Sequence, residues 1–395
     1  MTRPVPRGLL MVAFVAFVGL GVPDGLIGTG WPEMSGDLSR SIGDLGVAVT
    51  VGIAGFATMA ALSGQVAARI GPGSRLAAAY VGIGLGALLV GIGPNWALVL
   101  VGVAVLGMGN GLLDPTVNSY VARNHGMRTM NLLHASFGAG ATLGPLVMLW
   151  SLRATGGWRA AYVGVAVWGG LMFVVMFVTR RSWRDRPASE TRRRDGGTPV
   201  AVPLVLAAFL LTTGTEMAAG TWAYSWLFEG RGVSDAAAAA FAAAFWAGLT
   251  GARLVGVVIG DRLAPRTVMG WSGALLVGGS AWMAADPGGS GGFGLVAAGA
   301  GVALVFPILV VATTVGFGAR GEAMVGWGFA AASAGAAALP WIAGRLVEGI
   351  GFEAIGVLLV AAAAGTAGVG WVVAQMAPDT RVGVAEAGRG DRGGD

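Results

Sequence analysis

The sequence predicts an all-α polytopic membrane protein, with twelve transmembrane helices in two pseudo-symmetric six-helix bundles. Three observations carry that prediction: charge is scarce, apolar runs recur at bilayer length, and the chain repeats itself at about half its length. Of 395 residues, 55% are hydrophobic and a further 71 are Gly, while only 11% are charged. A soluble chain carries ~25% charged residues, so this one could not clothe itself in water. The uncharged stretches recur from end to end, each near the ~20 residues that cross a bilayer.

Taken in order, the apolar runs place helices near 9–31, 45–68, 76–93, 96–121, 130–151, 158–179, 200–227, 235–260, 267–285, 291–317, 322–346 and 353–376. Charges and Gly/Pro punctuation separate them. The Gly/Ala-rich runs at 291–304 and 329–344 read as packing surfaces, because small residues replace the hydrophobic drive between helices in lipid. The first span follows Arg3 and Arg7 like a signal sequence, yet it runs on through Pro23 and Asp24 without a small-x-small cleavage site, so it is expected to be retained. The polar segment 180–199 divides a bundle at 1–179 from a second at 200–376, and reads as a solvated cytoplasmic linker. The Gly-rich charged stretch 377–395 reads as a disordered cytoplasmic tail.

Orientation follows from arginine, since basic residues near span ends stay in the cytoplasm. With the N-terminus inside, nineteen Arg fall on the cytoplasmic side and only Arg40, Arg153, Arg159, Arg231 and Arg345 on the other. Both termini are therefore expected inside, in the cell (inner) membrane.

Composition also excludes functions. All 25 basic residues are Arg, so a Lys-dependent phosphate loop or Schiff base is ruled out. Zero Cys and two His, His125 and His134, leave no ligand set for zinc or an iron–sulfur cluster. The intramembrane groups offer no nucleophile–base pair, so an enzyme is not expected, nor is a metal or any other cofactor.

The internal repeat rests on three matches. GAGATLGP at 138–145 aligns with SAGAAALP at 333–340, ARIG at 68–71 with DRLA at 261–264, and Pro115 with Pro307, at offsets of 195, 193 and 192. The last offset carries Asp24 of span one onto Glu216 of span seven. Both lie about fifteen residues, or ~22 Å, into their helices. A carboxylate there costs ~2.5 kcal/mol or more on insertion scales. It is suited either to carry a proton or to bind a ligand, or else it bonds to a neighbouring helix.

Span four, GLLDPTVNSY, puts Asp114 and Asn118 a turn apart on one face. Pro115 removes a helix hydrogen bond beside them. Span five, NLLHASFGAG, does the same with Asn131 and His134; the histidine is either a structural partner or a proton carrier. Span seven offers Thr212 and Thr213 before Glu216, then Trp222, Tyr224 and Trp226. Those rings, and Trp31, serve either to stack on a sugar or to form an interfacial belt. Arg253 either pairs with an intramembrane carboxylate or extends to the interface.

On these residues the chain resembles the major facilitator superfamily. The loops after spans two and eight resemble its G-x-x-x-D-R-x-G signature. GQVAARIG has Ala68 at the acidic position, and VVIGDRLA keeps Asp261 and Arg262 without the glycines. The resemblance implies a cytoplasmic conformational latch at Arg69, Asp261 and Arg262. The run from Gly107 to Pro145, with Asp24 and TEMAAGTWAYSWL at 215–227, further resembles the fucose permease group of sugar–proton symporters.

That resemblance implies proton coupling at Asp24, Asp114 and Glu216. It implies substrate contacts at Asp24, Trp31, Asn118, Asn131, His134, Thr212, Glu216 and Trp222. GATLGP at 140–145 also resembles the Gly-Pro motif in span five of proton-driven drug exporters. The expectation is a proton-coupled alternating-access transporter of a sugar-like solute, with drug or metabolite export as the alternative and a non-transporting sensor as a remote one. Its expected partners are the solute, protons and the bilayer, with no nucleic acid, and the chain is expected to be monomeric.

Overall fold

The computed structural model describes residues 7–125, 127–183, 202–259, 263–286 and 288–376. Regular structure among them is helical: α1 Arg7–Asp37, α2 Leu45–Ala67, α3 Pro72–Ile92, α4 Trp96–Asn124, α5 Met127–Thr155, α6 Arg159–Thr179 and α7 Val202–Arg231, followed by α8 Asp235–Ile259, α9 Pro265–Ala285, α10 Gly291–Val302, α11 Val305–Gly316, α12 Gly321–Ile350 and α13 Glu353–Ala374. With α10 and α11 taken together, 12 spans are long and apolar enough to cross a membrane.

Local chemistry sets several boundaries. Pro72 and Pro265 open α3 and α9, at a position where a missing N–H breaks no helix bond. The side chain of Asn95 accepts from the Leu98 N–H at 3.0 Å and caps α4. α12 stops at Gly351, whose φ of 90° is open to glycine.

One expected span, 291–317, is broken at residues 303–304. Pro307 has no N–H to offer the Ala303 carbonyl four residues earlier, so the ladder fails there and the helix restarts at Val305. The segment expected as a solvated linker starts differently too: Trp183 is buried, its ring 4.7 Å from Tyr120. Residues 184–199 of that linker and the tail 377–395 lie outside the described residues.

The pairing of helices repeats between the halves. α1 packs on α5, α2 on α4, and α3 on α4 and α6; six spans later, α7 packs on α12, α8 on α10, and α9 on α10 and α13. Small residues permit this closeness. A methyl group on Gly140 would strike the Val18 carbonyl, and one on Gly335 the Leu210 carbonyl, at the matched α1–α5 and α7–α12 crossings.

The halves meet through α1–α7, α2–α12 and α5–α8. Their contacts concentrate at the face opposite the start of α1. There Gly28 touches the Thr221 carbonyl, Thr50 Oγ1 donates to Ala337 O at 3.2 Å, Gly43 abuts Gly344, and Arg153 pairs with Asp235 at 2.8 Å. Toward the N-terminal face the halves part. Among the described residues α4 touches nothing in α7–α13, and α11 touches nothing in α1–α6. Trp150, Trp271, Trp282 and Trp371 are exposed on the outside of the bundle, as rings at a lipid interface would be.

Candidate functional site

Between the halves lies a cavity of about 370 Å³, walled by α1, α2 and α4–α8 together with α11 and α12. α1 delivers Asp24, immediately after Pro23. α4 delivers Asn110 and Asp114, four residues apart and therefore on one helix face. One turn further, Asn118 donates from Nδ2 to Asp114 Oδ1 at 2.9 Å and fixes that carboxylate from behind. α5 contributes His134, set edge-on to Phe17 with ring centroids 6.0 Å apart. α6 contributes Tyr162, which is buried and within electrostatic reach of Asp24.

The second half supplies Thr213 and Arg253. The Arg253 guanidinium stands 3.6 Å from Glu216 Oε2, and its Nε donates to Ala303 O at 3.3 Å. That carbonyl is the one Pro307 left without its helix partner, so the break in span ten and the position of the cation are one feature. Asp24 lies within electrostatic reach of Glu216, and His134 of Arg253. Two carboxylates and one guanidinium thus line a single space, with the Glu216 carboxylate behind the guanidinium. In it, Asn110 Oδ1 and Thr213 Oγ1 are buried without a hydrogen-bond partner among the described residues. A buried polar atom left in that state costs about 1–3 kcal/mol, so these two are placed to bond a bound solute.

Of the residues singled out from sequence, the fold brings Asp24, Asp114 and His134 to the cavity, with Glu216 behind Arg253 and Asn118 behind Asp114. Trp31 and Trp222 do not reach it. Both rings are fully buried between helices, where Trp31 Nε1 donates to Ile42 O at 2.6 Å and Trp222 Nε1 to Pro340 O at 3.0 Å. Trp226 is fully buried as well, so neither a sugar platform nor an interfacial belt describes these rings. Thr212 turns its hydroxyl back to Ala208 O at 2.7 Å, and Thr213 takes the cavity position instead.

The side chain of Asn131 lies outside the described residues, as do Asp261 and Arg262 of the expected latch; Arg69 is exposed at the end of α2. Asn110 and Tyr162 line the cavity without having been expected there from sequence. Asn110 had a signal, since it extends the Asp114, Asn118 spacing by one turn; Tyr162, near the start of α6, had none.

The Major Facilitator Superfamily profile matches residues 9–324, and the chain belongs to that superfamily. The sodium-dependent glucose transporter 1A of Mus musculus is 21% identical over 296 residues, which is 65% of this chain and 70% of that protein. A bacterial homologue of the human lysosomal transporter Spinster, solved inward-facing and occupied, superposes with a TM-score of 0.71 at 15% identity over 95% of each chain. The peptide transporter POT with bound sulfate gives 0.70 at 15% identity over 94% of each chain. The family and these neighbours are transporters, not enzymes.

Proposed function

We propose that the chain is a proton-coupled secondary transporter of a small polar solute, in first place a sugar or sugar-like metabolite, working by alternating access. The observation that carries the reading is the joining of Asp24, Asp114, Glu216 and Arg253, drawn from both halves, around one inter-half cavity. Protons supply the energy and no cofactor takes part. A proton on Asp24 or Asp114 removes charge from a space where charge is costly, and so favours the closing of the halves around a bound solute.

Asn110, Thr213 and His134 offer the solute hydrogen-bonding groups, and Phe17 and Phe137 a ring surface. The resemblance to the fucose permease group and the glucose transporter relative support a hydroxylated cargo. With the arginine-rich side placed inside, the chain sits in the cell membrane as a monomer with cytoplasmic termini. The cavity then opens to the cytoplasm, and the latch at Arg69, Asp261 and Arg262 closes that side in the alternate state.

The test is accumulation of radiolabelled hexoses in proteoliposomes under an imposed pH gradient. The expected result is uptake several-fold above equilibrium that a protonophore abolishes. Accumulation driven by sodium alone would overturn the choice of ion, since the mouse relative is named as sodium-dependent.

A second reading, export of amphipathic compounds, is favoured by the rings of Phe56, Phe306 and Phe329 on the same walls. It predicts gradient-driven transport of a lipophilic dye that hexoses do not inhibit.

A further inference from the structure

A second cavity of about 200 Å³ lies at the closed face, again between the halves. Thr29 and Glu33 of α1, Tyr224 and Phe228 of α7 and Asp235 of α8 form its polar and aromatic walls. Its place in the fold ties it to the main cavity. Along α1, Ile27 lines the main cavity and Thr29 the second; along α7, Thr221 lines the main cavity and Tyr224 the second. What separates them is the contact of Gly28 with the Thr221 carbonyl. The two spaces are therefore stacked end to end with a partition about one helical turn thick.

Two hydroxyls of buried residues open onto this space without a partner among the described residues. Helical threonines elsewhere, such as Thr50, Thr116 and Thr250, turn Oγ1 back to the carbonyl four residues earlier. Thr29 is 2% exposed and Tyr224 4% exposed, yet neither hydroxyl has a hydrogen bond among the described residues. The Tyr224 and Phe228 rings stack with centroids 5.4 Å apart at 22°. Glu33 and Asp235 add carboxylate acceptors, and Asp235 is also the partner of Arg153 in the tie between α5 and α8.

We propose that this vestibule is a second binding site on the transport path, taking a small polyhydroxylated solute before it reaches the main cavity. Hydroxyl groups can donate to both carboxylates and accept from Thr29 and Tyr224, while the stacked rings cover an apolar face of the solute. Anions meet two carboxylates there. A space holding roughly seven waters, at ~30 Å³ each, excludes large amphiphiles. Because the solute bonds to Asp235, it competes with Arg153 for that carboxylate and loosens the tie holding this face shut. The inference rests on the cargo reading above, that of a hydroxylated solute.

Binding of tritiated D-glucose, D-galactose, L-fucose and mannitol to the purified full-length protein tests it, with Thr29→Val and Tyr224→Phe combined as the vestibule variant and Asn110→Leu as the cavity variant. The expected result is two equivalents bound per chain for at least one probe. The vestibule variant should lose one equivalent and the cavity variant the other, and each single hydroxyl removal should weaken the vestibule site about fivefold to tenfold.

A single equivalent, lost in the cavity variant and unchanged in the vestibule variant, overturns the vestibule and leaves the cargo reading standing. A single equivalent lost only in the vestibule variant supports this site and overturns the cavity as the place of binding. Failure of all four probes overturns both. Thermal melting identifies a variant that has not folded, in which case Glu33→Gln, at an exposed position, replaces it.

Discussion

Arg253 is the fixed charge around which the cavity is arranged, held by Glu216 on one side and by the carbonyl that Pro307 leaves free on the other. Arg253→Leu strands the Glu216 carboxylate in a low-dielectric space. Removing one partner of a buried pair costs about 3 kcal/mol or more, so the variant should melt several degrees lower, and Glu216→Gln in the same chain should restore much of the loss. Asn118→Leu takes away the hydrogen bond that fixes Asp114. It should leave solute binding in place while reducing gradient-driven accumulation, measured as binding against uptake on the same preparation. At this scale the carboxylates were legible from sequence, because a charge inside an apolar run stands out against its surroundings. The tryptophans were not: a large ring with one N–H fits a sugar, an interface or a gap between helices equally well, and only the neighbours decide. For Trp222 the Pro340 carbonyl, which takes its N–H in a fully buried position, decided for the gap.

Helix number and order follow from apolar run length alone, which is why twelve spans could be read from the chain. The break in span ten was present as Pro307 but its consequence was not, since Pro115, Pro145 and Pro340 sit inside helices that continue through them. The difference lies in what satisfies the freed carbonyl, and for Pro307 that is a side chain from α8. Pro307→Ala should let α10 and α11 join, return the Ala303 carbonyl to a helix bond and release Arg253. Transport should fall while thermal stability holds or rises. Glycine at the α1–α5 crossing makes the opposite case. A Gly140→Leu side chain would collide with the Val18 backbone, and overpacking of this kind costs about 1–3 kcal/mol, seen as a lower melting temperature with the main cavity residues untouched.

The halves touch at the face away from the N-terminus and separate toward it, and alternating access requires that this pattern reverse. The absence of cysteine makes the motion measurable, because introduced labels have no background. Labels at Gly64→Cys and Gly326→Cys, where a side chain meets nothing within 4 Å, report the open face. Labels at Ala154→Cys and Glu229→Cys report the closed one. Adding solute at low pH should shorten the first distance and lengthen the second. Arg153→Ala removes an exposed tie and should move the populations only slightly, roughly twofold.

In the proposed cycle, carboxylates from the inter-half cavity couple a proton to solute movement. Uptake by proteoliposomes under a pH gradient tests it most directly when wild type, Asp24→Asn and Asp114→Asn are compared in accumulation and in counterflow exchange. At least one of the two variants should lose accumulation while retaining exchange. Accumulation equal to wild type in both variants would contradict it.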